Sequence, residues 1–195
     1  MDAAAKELKK TLRGAALARR DALDPAWRAD ASLAMAAAAD TLAIAPGTVV
    51  SGFLPIRSEA DLKPLMAALA QRGARLCLPV ILDRATIVFR EYLAHRPLVD
   101  TGFGTSGPDA DAAVLDPAVM LVPLAAFDAQ GNRIGYGAGH YDRAIARLHA
   151  KGLAPRLVGV AFDCQRVDAV PAEAHDVRLG ECLSESGLRR FPLCL

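Results

Sequence analysis

Residues 118–143 read "AVMLVPLAAFDAQGNRIGYGAGHYDR". The first ten, Ala118 to Phe127, are apolar throughout, as suits a central strand buried on both faces. "YDRAIARLHAKG" (141–152) has the composition of a helix, stopped by Gly152. Between them Gly135, Gly137 and Gly139 fall at alternate positions. Buried strand, glycine-rich connection and helix make a unit of an α/β fold, in which ligands gather at the carboxyl ends of the strands. Glycines let a backbone approach phosphate closely, and a helix start offers unpaired N–H groups and a positive dipole end. The stretch therefore reads as a phosphate cradle.

It matches no common nucleotide loop. G-x-G-x-x-G would need glycine at position 140, which is His140, and a Walker A loop would need lysine and Ser/Thr after its second glycine. On pattern alone, a turn that merely joins a strand to a helix fits equally well. Arg133 can pair with phosphate through two parallel bonds. Asp142 is a hard oxygen donor able to hold Mg2+ beside the same phosphates. Their plainer alternatives are a solvated loop charge and a first-turn acid favoured by the helix dipole.

Working outward, residues 2–22 read as a helix, and Asp24-Pro25 opens a second that runs to about Leu42, before Pro46-Gly47. "TVVSGFL" (48–54) is a strand, "ADLKPLMAALAQRG" (60–73) a helix, and "ARLCLPV" (74–80) and "ATIVFREY" (85–92) are strands. Residues 95–117, rich in glycine, proline and aspartate, read as a long loop. "PRLVGVAF" (155–162) is a further buried strand, and the remainder is irregular apart from a short final strand. Lys9 and Arg13, at i and i+4, share one face of the first helix, as a second cationic cluster or as a solvated basic stripe.

A chain of 195 residues, 53% hydrophobic and 23% charged, supports one folded domain over 1–195 and argues against disorder. A net charge of +1 provides no global field to recruit nucleic acid or membrane, so an anion site must be local. Cys77, Cys164, Cys182 and Cys194 form no C-x-x-C pair and read as free thiols in a reducing compartment. Without an apolar signal core or a membrane-length run, a cytoplasmic location is expected.

The central motif resembles the signature of the 5-formyltetrahydrofolate cyclo-ligase (5,10-methenyltetrahydrofolate synthetase) family, P-x-x-x-F-D-x-x-G-x-R-x-G-x-G-x-G-x-Y-D. "KKTLR" (9–13) resembles that family's K-x-x-L-R, and "FLPIRSEAD" (53–61) its strand-end motif with a glutamate, here Glu59. "GFGTSGP" (102–108) falls where the family has an aromatic residue and a Gly/Pro loop, and "VPAEAHDVRLG" (170–180) resembles its late H-D-x-x-L-D. The resemblance implies a three-layer α/β/α domain with a mostly parallel sheet, of the NagB/RpiA/CoA-transferase-like class. It also implies a monomer that closes the ring of 5-formyltetrahydrofolate using ATP and Mg2+.

Residue by residue, the resemblance implies ATP contacts for Lys9, Arg13, Arg133, Gly135, Tyr136, Gly137, Ala138, Gly139, His140 and Tyr141, with Arg133 and Tyr141 catalytic. Phe53, Leu54, Glu59, Phe103 and Tyr141 are expected to serve the folate, and Asp142, assisted by Asp176, the metal. Three positions depart from the family: His140 replaces an aromatic residue, Gly107 a glutamate and Gly180 an acid. These departures leave open a relative with a different substrate, or a non-catalytic nucleotide- or RNA-binding homologue.

Overall fold

A computed structural model describes residues 3–102, 105–173 and 176–192. In chain order the elements are α1 (Ala3–Asp21), α2 (Pro25–Ala37), β1 (Val49–Ser51), α3 (Lys63–Gln71), β2 (Arg75–Ile81) and β3 (Ile87–Glu91). There follow β4 (Val99–Gly102), β5 (Thr105–Gly107), β6 (Val119–Pro123), β7 (Ala126–Phe127), β8 (Arg133–Ile134), α4 (His140–Ala150), β9 (Arg156–Val160), β10 (Glu181–Ser184) and β11 (Gly187–Arg190). A 3-10 turn, Ala38–Leu42, continues α2 to the expected end of that helix.

Seven strands form one sheet in the order β11-β10-β9-β6-β1-β2-β3. β10, β9, β6, β1 and β2 run parallel, and only the edge strands β11 and β3 are antiparallel. Alternate residues face opposite layers, as pleating dictates. Leu76, Leu78, Val119, Leu121, Val158 and Val160 pack under α2 and α3. Cys77, Met120, Val122 and Leu157 pack under α4. Both faces of β6 are thus covered, which is why its sequence is apolar without alternation. Each fully buried large apolar side chain contributes about 1.5–3 kcal/mol.

Local chemistry sets the helix starts. Asp24 Oδ1 accepts from the N–H groups of Ala26 at 2.8 Å and Trp27 at 3.1 Å, with Pro25 in the first turn of α2. α3 starts later than expected: Asp61 Oδ1 accepts from Lys63 N at 3.0 Å. α1 lies along the carboxyl-end side of the fold, where Ala16 packs with Ala126, Ile134 and Val170.

Four expectations change. The apolar run 118–127 is not one strand. It leaves the sheet after Pro123, and β7 turns back to pair with β8 in a separate hairpin. Asp128 Oδ1 closes that hairpin, accepting from Gln130 N at 2.9 Å and Asn132 N at 3.0 Å. Gly131 sits there with φ +82°, and a Cβ on it would lie 2.4 Å from the Leu179 carbonyl oxygen. The glycine stretch therefore reaches α4 through β8 and not directly from the buried strand. The 95–117 segment contains the β4–β5 hairpin, seated against β2; a Cβ at Gly107 would meet Val80 Cγ2 at 3.1 Å. β1 is shorter than expected. The chain end supplies two strands, β10 and β11, where one was expected.

Candidate active site

A cleft of about 570 Å³ opens at the carboxyl ends of β1, β2 and β6. Phe53, Leu54, Leu78, Pro79, Ile81 and Ile87 form an apolar side, while Arg133, Tyr136, Tyr141, Asp142 and Glu59 line a polar one. The fold thus provides apolar and charged lining within a single cavity.

At the charged end, Gly137 (φ +99°) and Gly139 (φ +66°) adopt the left-handed conformation that favours glycine. Gly139 is the N-cap of α4, and no side chain caps that helix start. Its first-turn N–H groups are thus available to an anion beside the cleft. Arg13 reaches over from α1: its Nε donates to the Gly135 carbonyl at 2.8 Å, and its guanidinium carbon lies 3.7 Å from where a Cβ of Gly137 would stand.

Arg133 is buried on β8, and its Nη2 donates to Asp142 Oδ1 at 2.6 Å. Its Nη1 donates to the Val177 carbonyl. One guanidinium therefore ties together β8, the first turn of α4 and the late 176–180 segment. Lys9 Nζ lies 2.6 Å from Asp176 Oδ2 and 3.1 Å from Glu173 Oε2. Burial would lower the lysine's pKa, but the hydrogen bonds and charges of the two acids outweigh it, and the net shift is upward.

The Tyr141 ring packs edge-on against Phe89, with centroids 6.4 Å apart, and its buried hydroxyl has no partner among the described residues. Burial pushes this phenol well above its ordinary value. Core packing and a place in the cleft wall thus hold together for Tyr141, and the same is true of Phe53. His140 Nε2 lies 3.0 Å from the Arg84 carbonyl, and Arg143 Nε donates to the Ala85 carbonyl at 2.7 Å. These contacts fasten the start of α4 to the β2–β3 turn.

Glu59 lines the cleft ahead of α3. Its Oε2 accepts from Ile56 N at 2.8 Å, and the Tyr136 hydroxyl also bonds to the carboxyl. Burial raises the Glu59 pKa, against the opposing pull of Tyr136, the Ile56 N–H and Arg20. Arg20 is the residue that sequence reading missed. It is 2% exposed and donates to Ser58 Oγ at 2.9 Å and to the Tyr136 hydroxyl at 2.5 Å. The available signal was spacing: position 20 lies seven beyond Arg13 and extends the Lys9–Arg13 face of α1.

The structure brings Arg13 of α1, Arg133 of β8, the glycine loop and the 53–59 segment together, while Lys9 is held beside the cleft lining by Glu173 and Asp176 and is not part of it. Phe103 and Cys194 lie outside the described residues. Among the described residues no group of three or more His, Cys, Asp or Glu side chains converges to hold a metal. Asp142 lines the cleft and uses only Oδ1 in the Arg133 pair, so it suits a magnesium ion that takes most of its ligands from phosphate and water. Asp176 Oδ2 is already engaged by Lys9 and by the N–H of Glu173 at 2.9 Å.

Fold and cleft together define an open-sheet α/β protein whose cleft joins an apolar lining to a charged one. The sequence model of the 5-formyltetrahydrofolate cyclo-ligase family matches residues 5–185, and the chain belongs to that family. It is 33% identical over 184 residues to the 5-formyltetrahydrofolate cyclo-ligase of Mycolicibacterium smegmatis, covering 90% of this chain and 93% of the relative. It is 33% identical over 143 residues to the Escherichia coli enzyme of the same name, covering 70% and 78%. The NMR structure of Aquifex aeolicus 5,10-methenyltetrahydrofolate synthetase superposes with a TM-score of 0.76 at 26% identity, covering 96% of this chain and 95% of that one. A synthetase from Mycoplasma pneumoniae shares the fold, with a TM-score of 0.71 at 20% identity over 95% and 99% of the two chains.

Proposed function

We propose that this protein converts 5-formyltetrahydrofolate to 5,10-methenyltetrahydrofolate, consuming ATP and releasing ADP and phosphate. The observation that carries the reading is the junction of two surfaces in one cleft: an apolar wall suited to a flat pterin, and a glycine loop at a helix start flanked by Arg13 and Arg133.

A formamide oxygen is a poor leaving group. In the proposed reaction it attacks the γ-phosphorus of ATP, and the bond to ADP breaks. N10 of the folate then attacks the activated formyl carbon and loses its proton. The carbon–oxygen bond breaks, and inorganic phosphate departs to leave the methenyl bridge. Phosphoryl transfer needs positioning and charge neutralisation more than covalent help from the protein. Arg133, Arg13, Lys9 and the backbone from Gly135 to His140 supply these. Tyr141 presents its unpartnered hydroxyl to the formyl oxygen, and Phe53, Leu54, Phe103 and Glu59 hold the folate. Magnesium, when bound, would neutralise phosphate charge, with Asp142 as its principal carboxylate and Asp176 assisting. Phosphate can replace the carboxylates now paired with Arg133 and Lys9, freeing the acids for that task.

The reading includes a monomeric, cytoplasmic enzyme working on small molecules without nucleic acid or membrane. No helix among the described residues is long and apolar enough to cross a membrane. Incubation with 5-formyltetrahydrofolate and Mg-ATP should generate the methenyl chromophore with one ADP per turnover. Folded protein that produces neither would reject the reading.

A further inference from the structure

Arg20 carries a charge with almost no exposure, so its partners must compensate it. They do so in a directional pattern. A guanidinium only donates, so each hydroxyl that accepts from it must turn its own proton elsewhere. Arg20 Nε donates to Ser58 Oγ at 2.9 Å, and Ser58 donates to Asp21 Oδ1. Arg20 Nη1 donates to the Tyr136 hydroxyl at 2.5 Å, and Tyr136 bonds to the Glu59 carboxylate. The guanidinium also lies 5.8 Å from the centroid of the Tyr136 ring. Two hydroxyls thus link one buried arginine to two acids.

The links join two different chain segments of the cleft lining. Ser58 and Glu59 belong to the β1–α3 segment, whose Phe53 and Leu54 line the apolar wall. Tyr136 belongs to the glycine loop between β8 and α4, which faces the charged end. Arg20 itself is held by α1, the helix that also supplies Lys9 and Arg13. Glu59 Oε2 accepts from Ile56 N at 2.8 Å, so a shift of the carboxylate would move the 56–59 turn. A displacement of the glycine loop would therefore reach the apolar wall through Tyr136.

We infer that Arg20 is a positioning residue that, through Tyr136 and Glu59, couples the glycine loop to the β1–α3 segment, so that nucleotide and folate strengthen each other's binding. This rests on the substrates of the proposed function. Coupling of this kind is reciprocal and typically amounts to a fivefold or larger change in affinity. Arg20→Lys keeps the charge but loses the rigid fork that serves two hydroxyls at once. Tyr136→Phe keeps the exposed ring and removes only the bridging hydroxyl, and so provides a variant that folds even where Arg20→Lys does not.

The test is calorimetric titration of 5-formyltetrahydrofolate into the intact protein, with and without a saturating non-hydrolysable ATP analogue and Mg2+. In wild type the analogue should tighten the folate by about fivefold or more. In Arg20→Lys and in Tyr136→Phe it should change folate affinity less than about twofold, and the two substitutions combined should do no more than either alone. Variants that melt earlier yet retain the full coupling would reduce Arg20 to a structural ion and overturn the inference. So would wild type that binds both ligands independently, a result that leaves the proposed reaction standing. Wild type that binds neither ligand would remove both.

Discussion

Arg133 donates to Asp142 across 2.6 Å, from β8 to the first turn of α4. The pair joins the most deeply held cation of the cleft to its best-placed carboxylate. Arg133 is buried while the Asp142 side chain is 36% exposed, so it is loss of the acid that leaves a buried charge uncompensated. The same pairing holds Arg133 in one place, so that under the proposed function little ordering would be left for the moment of binding.

Asp142→Asn retains size and one acceptor while removing the charge. If Asp142 holds magnesium, turnover should fall by at least about a hundredfold, a loss of the size seen when a transition-state charge contact is removed. The magnesium titration should move to higher concentration. If the acid serves only the helix dipole and its pair with Arg133, stability falls while the titration stays put. Steady-state rates across a magnesium series, with melting curves in parallel, separate these outcomes.

Arg13→Ala should raise the KM for ATP roughly tenfold or more, the equivalent of a charge-assisted hydrogen bond at about 1.5–3 kcal/mol. The KM for folate should move by less than about twofold, because Arg13 lies against the glycine loop and not along the apolar wall. Unchanged ATP kinetics would return Arg13 to a purely structural clasp on the Gly135 carbonyl.

Gly137→Val tests the loop itself. Gly137 has φ +99°, which a β-branched residue adopts only with strain, and its missing Cβ faces the Arg13 guanidinium at 3.7 Å. Position 137 is exposed, so the cost to stability should stay at that of one strained residue, about 1–3 kcal/mol, while ATP binding is lost. Calorimetry with ATP and Mg2+ checks this, and undiminished binding would move the phosphates elsewhere.

The parts of the site that depend on short spacings were legible in the sequence. Arg133, the three glycines and Asp142 lie within ten residues, and Lys9 with Arg13 needs only one turn of helix. The α/β layering followed from the all-apolar run at Val119–Val122. What escaped depends on the chain folding back. Nothing in "VPLAAF" marks the exit from the sheet after Pro123, because a buried hairpin and a buried strand are equally apolar. The Arg20–Tyr136 bond joins residues 116 apart, and the Lys9–Asp176 bond residues 167 apart. Such partners are set by how α1 docks, which no local pattern records.

Glu59→Gln carries a pH signature. The Glu59 carboxyl titrates above its ordinary 4.5 because it is buried. The folded state therefore holds this proton more tightly than the unfolded chain does. The resulting stability is full below about pH 4.5 and is lost as pH rises through the raised value. Wild type should accordingly lose stability relative to Glu59→Gln over that interval, with a constant difference at higher pH. Melting temperatures of both proteins across pH 4 to 8 measure it. A difference that instead grew in favour of wild type as pH rose would mean that Arg20 and Tyr136 overcompensate the burial.

Tyr141→Phe should separate stability from activity. The hydroxyl is buried, has no partner among the described residues, and belongs to a ring already anchored on Phe89. An unsatisfied buried polar group costs about 1–3 kcal/mol, and phenylalanine fills the same space without it. The variant should melt at the wild-type temperature or a few degrees above it. Tyr141 lines the cleft, and burial keeps its phenol protonated and able to donate should a substrate oxygen reach it. Loss of a donor that acts in the transition state should lower kcat by about a hundredfold or more, with a much smaller change in either KM. Retained stability with a collapsed kcat would identify an atom kept unsatisfied for the reaction. Retained stability with normal kcat would assign Tyr141 to packing alone and leave the formyl oxygen to Arg133.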